Sequence, residues 1–369
     1  MNCHHDTELS TLLTMKTWTN QQSKPRQVAV VGAGLAGAAC ARALAEAGHN
    51  VTVLDKARGP GGRLATRRVE WFDAQGQAHV CGLDHGTPWF DARSAAMRQF
   101  VDAALAAGWL ATWQPRIVGG RSGGAMPVSP HYVAVPTMPT LCQRLLDAPA
   151  LTRLWQHTVT AIKPAEAGRA GWQVSCAGER LPMVFDAVML AMPPAQAAVL
   201  LRPWRVDWAE RAEATPMSPC WTLLGVSEAL GRPAAWDMAL PDSGPLARIV
   251  QHRARPGRAM APADQAHWVA HARVQWSQEH LEHSPAGVQA QLQEALAQVL
   301  GQPLRWHHVT VHRWRYALTQ PDPAHDLPAC WWDATQGLGV CGDFLGGYGV
   351  EGAWLSGQAL AASVLEGVV

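Results

Sequence analysis

Lysine is almost absent from this 369-residue chain: of 30 basic residues only Lys16, Lys24, Lys56 and Lys163 are lysines, so 26 are arginines and no lysine follows position 163. Charge of either sign is scarce, with 16% charged residues and a formal net charge of +1. That balance gives no electrostatic reason for a nucleic acid or an anionic membrane as partner. The eight cysteines, at positions 3, 40, 81, 142, 176, 220, 330 and 341, form no CxxC pair and no repeated spacing. In a chain this long they exclude a disulfide framework and read as isolated thiols in a reducing compartment. The longest low-polarity run, residues 28–41, is too short and too glycine-rich to cross a bilayer, and the N-terminus has neither an apolar signal core nor a cleavage motif. A soluble, cytoplasmic protein is expected, with residues 1–26 a disordered extension and either Met1 or Met15 its start. GxSxG, Walker A and HExxH are missing, which removes support for hydrolase and kinase readings. No metal is expected: His267 and His271 lie in an alternating segment, and His307, His308 and His312 lack a cysteine or carboxylate companion at ligand spacing.

What is present is enough sequence for a large core. Area scaling gives roughly 14,000 Å² of folded surface against about 58,000 Å² for the unfolded chain, so about three quarters of it can be buried, in one or two domains. Gln27–Val31 is an apolar run, Gly32-Ala33-Gly34-Leu35-Ala36-Gly37 opens an Ala-rich helical stretch that Gly48 stops, and Val51–Asp55 is a second buried strand. In such a βαβ opening the first glycine permits the tight turn, the second admits a pyrophosphate to the backbone, and the third lets helix and strand pack closely. Asp55 ends the next strand, placed to accept hydrogen bonds from ribose hydroxyls. GxGxxG alone is weak; this context makes it a dinucleotide site.

Further along, residues 155–162 and 171–176 alternate as paired strands, Asp186–Ala191 is an apolar strand stopped by Met192-Pro193-Pro194, and residues 338–341 form a strand before Gly342-Asp343 and a helix from about Glu351 to Leu365. Residues 93–132 begin as a helix and pass into a Gly/Pro/Ser-rich loop. Residues 197–332 hold alternating strands, among them 267–276 and 307–316, and one amphipathic helix from about Pro285 to Leu300.

Asp55-Lys56, followed by Gly61-Gly62-Arg63-Leu64 and the late Gly342-Asp343, resembles the flavin-dependent amine oxidase superfamily. The resemblance implies non-covalent FAD, with Arg63 at its phosphates and Gly342-Asp343 at the linker between pyrophosphate and ribityl chain. It implies that Val159 meets the adenine through its backbone, and that Val350, Gly352 and Ala353 turn backbone N–H groups to the flavin pyrimidine. Glu351 should then point away, because an acid there would oppose the negative charge of the reduced ring. Within the superfamily, Leu83-Asp84-His85-Gly86, Phe90-Asp91-Ala92-Arg93, Trp268–Ala272, His312–Tyr316 and Val350–Gly357 are similar to bacterial renalase-like flavoproteins. This implies an α/β fold in which a Rossmann-type, p-hydroxybenzoate-hydroxylase-like FAD domain (27–92, 133–196 and 333–369) is interleaved with a mixed-sheet α+β substrate domain (93–132 and 197–332). It also implies oxidation of isomeric dihydronicotinamides to NAD(P)+, with O2 becoming H2O2. One segment departs: Gly86-Thr87-Pro88-Trp89-Phe90 stands where such proteins carry an amide and a phenol, which puts a nicotinamide substrate in question.

Hydride transfer asks for positioning and a dry pocket, without a nucleophile. Trp89 is the leading wall residue, and Tyr348 is a candidate at the flavin edge. His271 is either a pocket group or a histidine satisfied in its sheet, since either face of its strand can line the cavity; Arg313, beside Trp314, is either a substrate ligand or a salt-bridge partner. The lack of any lysine after 163 argues against a lysine-assisted amine oxidase. Three readings stay open: a renalase-like oxidase, an oxidase of another amine or alicyclic C–H substrate, and a flavin-binding protein with non-redox chemistry or none.

Overall fold

The computed structural model describes residues 24–73, 75–120, 130–166, 170–231, 234–258, 262–320 and 328–367. The expected N-terminal extension therefore lies outside the described residues up to position 23, as does most of the loop expected before Pro130.

A six-stranded, mainly parallel sheet has the order Trp331–Asp333, Leu338–Val340, Ala187–Leu190, Gln27–Val31, Asn50–Asp55, Leu151–Trp155. Its central strands are covered on both faces, which is why they read as unbroken apolar runs instead of alternating ones. Helices Leu35–Glu46 and Gly349–Glu366 pack together on one face. A Cβ on Gly357 would fall 2.2 Å from the Ala36 carbonyl oxygen, so this contact needs glycine. Strands Val159–Pro164, Trp172–Cys176 and Glu179–Phe185 make a separate antiparallel sheet.

The expected strand over 155–162 is two elements. At Gln156 the backbone takes φ +61°, the Gln156 and His157 amides donate to the Ala57 and Asp55 carbonyls, and the chain leaves the main sheet for the small one.

The second large sheet runs Trp306–Thr319, Met217–Glu228, Gln265–Ala272, Leu246–Gln251, Met238–Leu240, Ile117–Gly119. One face packs against helix Pro285–Leu300 through Trp221, Leu223, Trp268 and Ala270. The strand expected over 267–276 stops at Ala272, and Val274–Glu279 is helical. Beyond Ala272 its neighbours run into Pro219 and Pro245, neither of which has an N–H for the ladder. The chain folds back instead, with the Trp221 amide donating to Ser277 Oγ at 3.1 Å. Val274 and Trp276 therefore do not share a strand face with Trp268. Val206–Ala214 is a second amphipathic helix in this half of the chain, beyond the single one expected.

Candidate active site

A cleft of about 2060 Å³ runs between the two large sheets. That is well above the roughly 300–1,000 Å³ of a site for one small ligand, and suits an extended dinucleotide plus a substrate.

At one end the wall is backbone. Gly32, with φ +111°, sits so close to Ala191 that a Cβ would lie 2.3 Å from its carbonyl oxygen, and a Cβ on Gly37 would lie 1.9 Å from the Gly32 oxygen. Gly34 and Gly62 face each other, with a Cβ on Gly62 falling 3.0 Å from the Gly34 Cα. Helix Leu35–Glu46 starts here with no side-chain cap and no acid in its first turn, leaving its leading N–H groups to an anion. Asp55 accepts from the Ala33 amide and the Ala57 amide, both at 2.7 Å, which fixes its carboxylate at the strand end with lone pairs to spare.

Arg63 makes a bidentate pair with Asp343, at 2.8 and 2.5 Å, and Thr319 Oγ1 donates to the same carboxylate at 2.9 Å. The Gly61–Leu64 turn and the late Gly342-Asp343 turn are thereby clamped together from 280 residues apart in sequence. The helix Gly349–Glu366 also opens on the cleft without a side-chain cap. Gly346, Gly347 and Gly352 let the preceding turn fold tightly onto it: a Cβ on Gly352 would lie 1.7 Å from the Gly347 oxygen. The Glu351 carboxylate accepts from the Arg93 and Ser94 amides at 2.9 and 2.7 Å. Its charge serves the start of helix Ala95–Ala106.

Of the expected cofactor residues, Gly32, Gly34, Leu35, Ala36, Asp55, Lys56, Gly61, Gly62, Arg63, Leu64, Val159, Gly342, Asp343, Val350, Gly352 and Ala353 line this cleft. Ala33 and Gly37 do not: both lie beneath it, Ala33 holding Asp55 and Gly37 packing the helix on the turn. The five expected substrate-side residues, Trp89, His271, Arg313, Trp314 and Tyr348, line the opposite part.

There the wall is made of side chains. The residues Arg248, His271, Thr222 and His312 form one row across four adjacent strands, by direct register. The face of strand Gln265–Ala272 that carries His271 is thus the cleft face, while Trp268 and Ala270 belong to the core behind. His271 Nε2 lies 2.9 Å from the Gly86 oxygen and 3.3 Å from the His85 oxygen. Two carbonyls only accept, so Nε2 carries the proton, and burial followed by the nearby Arg248 pushes the imidazole down to about 3, leaving it neutral. His85 is held at about 3 and His312 at about 4, burial leading in both. Trp314 stacks on His85 at 5.0 Å and donates to its carbonyl at 3.3 Å. Trp89 stacks on His131 at 5.0 Å, and the Arg248 guanidinium stands over the Trp89 ring at 4.4 Å. Arg313 is a salt-bridge residue, giving 2.6 Å to the Leu281 oxygen and 3.2 Å to Glu282.

Behind this wall is a charge cluster that the sequence did not announce. Asp84, fully buried, accepts from Arg258 Nη2 at 2.5 Å and Nε at 2.9 Å, and faces Arg255 at 3.2 Å. The Asp84 amide donates to His252 Nε2 at 3.0 Å, so that imidazole is neutral, in keeping with a value of about 3. Although burial alone would raise it, the charged Arg255 and Arg258 hold the Asp84 carboxyl far below the usual range. The cluster ties strand Ala78–Asp84 to the segment after Leu246–Gln251. Its signal in sequence was only the Asp84-His85 pair; Arg255 and Arg258 lie about 170 residues away, in an irregular stretch without periodicity. Among the described residues no group of His, Cys, Asp and Glu could hold a metal, and no helix is long and apolar enough to cross a membrane.

Comparison with known proteins agrees with this geometry. The chain belongs to the flavin-containing amine oxidoreductase family, whose family model matches residues 70–365, and a NAD(P)-binding Rossmann-like domain matches residues 30–104. Membership makes FAD the expected cofactor. L-amino-acid oxidase from Mus musculus is 45% identical over 69 residues, 18% of this chain and 11% of that protein. L-amino-acid oxidase from Notechis scutatus scutatus is 50% identical over 56 residues, 14% and 11%. The chain thus matches only about a tenth of the length of these curated relatives. Solved structures give the fold: a provisionally named protoporphyrinogen oxidase from Exiguobacterium sp. 255-15 (TM-score 0.69, 12% identity, 93% of this chain and 99% of that one) and an oxidoreductase from Methanosarcina mazei (0.59, 14%, 92% and 100%). Putrescine oxidase with bound putrescine aligns with TM-score 0.54 at 15% identity, covering 93% and 99%.

Proposed function

We propose that this flavoprotein is an oxidase that takes a hydride at flavin N5 from a reduced small molecule, and that isomeric dihydronicotinamides (2- or 6-dihydro-NAD(P)) are its leading substrates. The ring loses two electrons and a hydrogen, NAD(P)+ leaves, and O2 with one further proton becomes H2O2. One observation carries the reading: the cleft passes from two uncapped helix N-termini directly into a pocket walled by Trp89, Trp314 and neutral imidazoles, with no lysine on that side among the described residues. Such a wall positions a flat ring and excludes water without competing for its electrons.

The bound FAD supplies the two-electron acceptor. Gly32, Gly34 and the Leu35–Glu46 N-terminus would hold its pyrophosphate together with Arg63, Asp55 its ribose, and the Val159 backbone its adenine. Gly342-Asp343 would hold the linker, and the backbone at Val350, Gly352 and Ala353 the flavin pyrimidine. The same reading divides the chain into the interleaved FAD and substrate domains expected from sequence, supported by the main sheet drawing its strands from the start, middle and end of the chain. A cytoplasmic, membrane-free enzyme remains part of it.

A second reading, another amine or an alicyclic C–H substrate, is favoured by the Gly86–Phe90 segment. The Pro88 carbonyl is taken by Arg255 at 2.9 Å and the Trp89 face by Arg248 and His131, so this stretch has neither amide nor phenol to meet a ring carboxamide. Anaerobic mixing with the 2- and 6-dihydro isomers should bleach the flavin within one turnover. Bleaching by simple amines alone would favour the second reading, and bleaching by neither class a non-redox role.

A further inference from the structure

Seven arginines and lysines line the cleft, and most are exposed on the cofactor side or committed. Arg63 is held by Asp343, Arg93 by Asp91, and Arg313 and Arg315 by Glu282. Arg248 differs. It lies in strand Leu246–Gln251, partly buried, with its Nε fully enclosed and without a hydrogen-bond partner. No acidic side chain among the described residues reaches it; its contact is the Trp89 ring at 4.4 Å. Cys220 acts on it electrostatically, but burial pushes that thiol up to about 11, so it stays uncharged. His271, the cross-strand neighbour in direct register, is neutral, and Arg255 behind it is already set against Asp84. A guanidinium withdrawn from water with no counter-charge is costly unless something completes it. Its planar fork also suits a carboxylate or phosphate.

We propose that Arg248 receives an oxyanion substituent of the substrate, a carboxylate or a phosphate, while Trp89 holds the adjoining flat part. The proposal rests on the reading of this part of the cleft as the substrate pocket, and makes Arg248, not Arg313, the residue that selects substrate charge.

The test is calorimetric titration of the FAD-loaded protein with three flat probes: benzoate, phenyl phosphate and neutral benzamide, following the flavin band in parallel. At least one anion should bind about tenfold or more tighter than benzamide, as a charge-assisted hydrogen bond requires. Benzoate or phenyl phosphate as the tighter probe identifies the source. Arg248→Met should bring the anions to within about threefold of benzamide while leaving FAD content unchanged, and Arg248→Lys should keep part of the preference as a point charge without the fork. Equal binding of all three probes to the unaltered protein overturns the proposal, as does a preference that survives in Arg248→Met. An Arg248→Met protein that fails to fold shifts the decision to Arg248→Lys, where an undiminished preference overturns it and a reduced one supports it. Anion preference in a protein whose flavin no substrate bleaches sinks the oxidase reading alone; bleaching without anion preference sinks the Arg248 assignment alone.

Discussion

At the glycine-rich end of the cleft the surface is backbone, packed so closely that three glycines cannot take a Cβ, and its central charges, Asp55, Arg63 and Asp343, are already fixed by one another or by amides. At the other end the surface is side chain: two histidines held neutral by burial, His271 and His312, two tryptophans and an arginine without an acid. The first end has its shape set by close packing and fixed charges, which suits a cofactor common to many chemistries. The second is a desolvated pocket whose residues decide what fits. Changes to the close-packed backbone should lose the cofactor and the fold together, and changes to the wall side chains should alter preference alone.

The largest effect should come from Gly37→Ala. The new Cβ meets the Gly32 carbonyl and forces helix from strand, so loss of bound FAD and at least ~3 kcal/mol of stability are expected; denaturant unfolding of a normally yellow variant would contradict the close-packed account. Asp84→Asn leaves Arg255 and Arg258 buried without a counter-charge and should cost ~3–5 kcal/mol, read as an equal fall in unfolding free energy. Arg63→Ala should weaken FAD binding by about 10- to 100-fold, measured by flavin release on dilution; unchanged retention would remove Arg63 from the phosphate site. The smallest effect, ~1 kcal/mol, belongs to Glu351→Ala, which leaves the Arg93 and Ser94 amides ahead of helix Ala95–Ala106 without their acceptor while the Ser94 cap stays, and should not alter flavin affinity.

Acidity sharpens the same contrast. His85, His252 and His271, at about 3, and His267 and His312, at about 4, stay neutral in the folded protein where the unfolded chain, near 6.5, binds a proton. Their folded values are lowered, so the unfolded state binds more protons below about 6.5 and stability must fall with pH. Each site adds up to about 1.4 kcal/mol per pH unit down to its folded value. Asp84, also lowered, adds its loss only below the ordinary carboxylate range. Thermal unfolding from pH 7 to 4 should therefore drop steeply, and a flat profile would mean these imidazoles are not neutral.

The glycine-rich turns of the cleft were legible in sequence because their demands are local: GxGxxG between two buried strands, Gly61-Gly62-Arg63, and Gly342-Asp343 each need glycine within a few residues of a turn. The Arg63–Asp343 clamp was not, because residues each expected to face one cofactor carry no sign in the sequence of facing each other. On the substrate side, alternation placed His271 on a strand but left the face open, since both faces of that strand are buried. It also ran the strand past Ala272, where the stopping signal lies in prolines of the neighbouring strands. Arg313 drew attention through its aromatic surroundings, yet Glu282 claims it. Arg248, in the plain strand Leu246–Gln251, is distinguished only by the absence of a partner, which no sequence pattern records.

The most direct measurement is the flavin content and redox response of the purified protein. The account predicts close to one FAD per chain, released intact on denaturation because no covalent bond holds it, and a visible flavin band that one equivalent of a dihydronicotinamide isomer or another reduced small molecule bleaches without air and O2 restores with formation of H2O2. A protein that is colourless and cannot be reconstituted with FAD would contradict it.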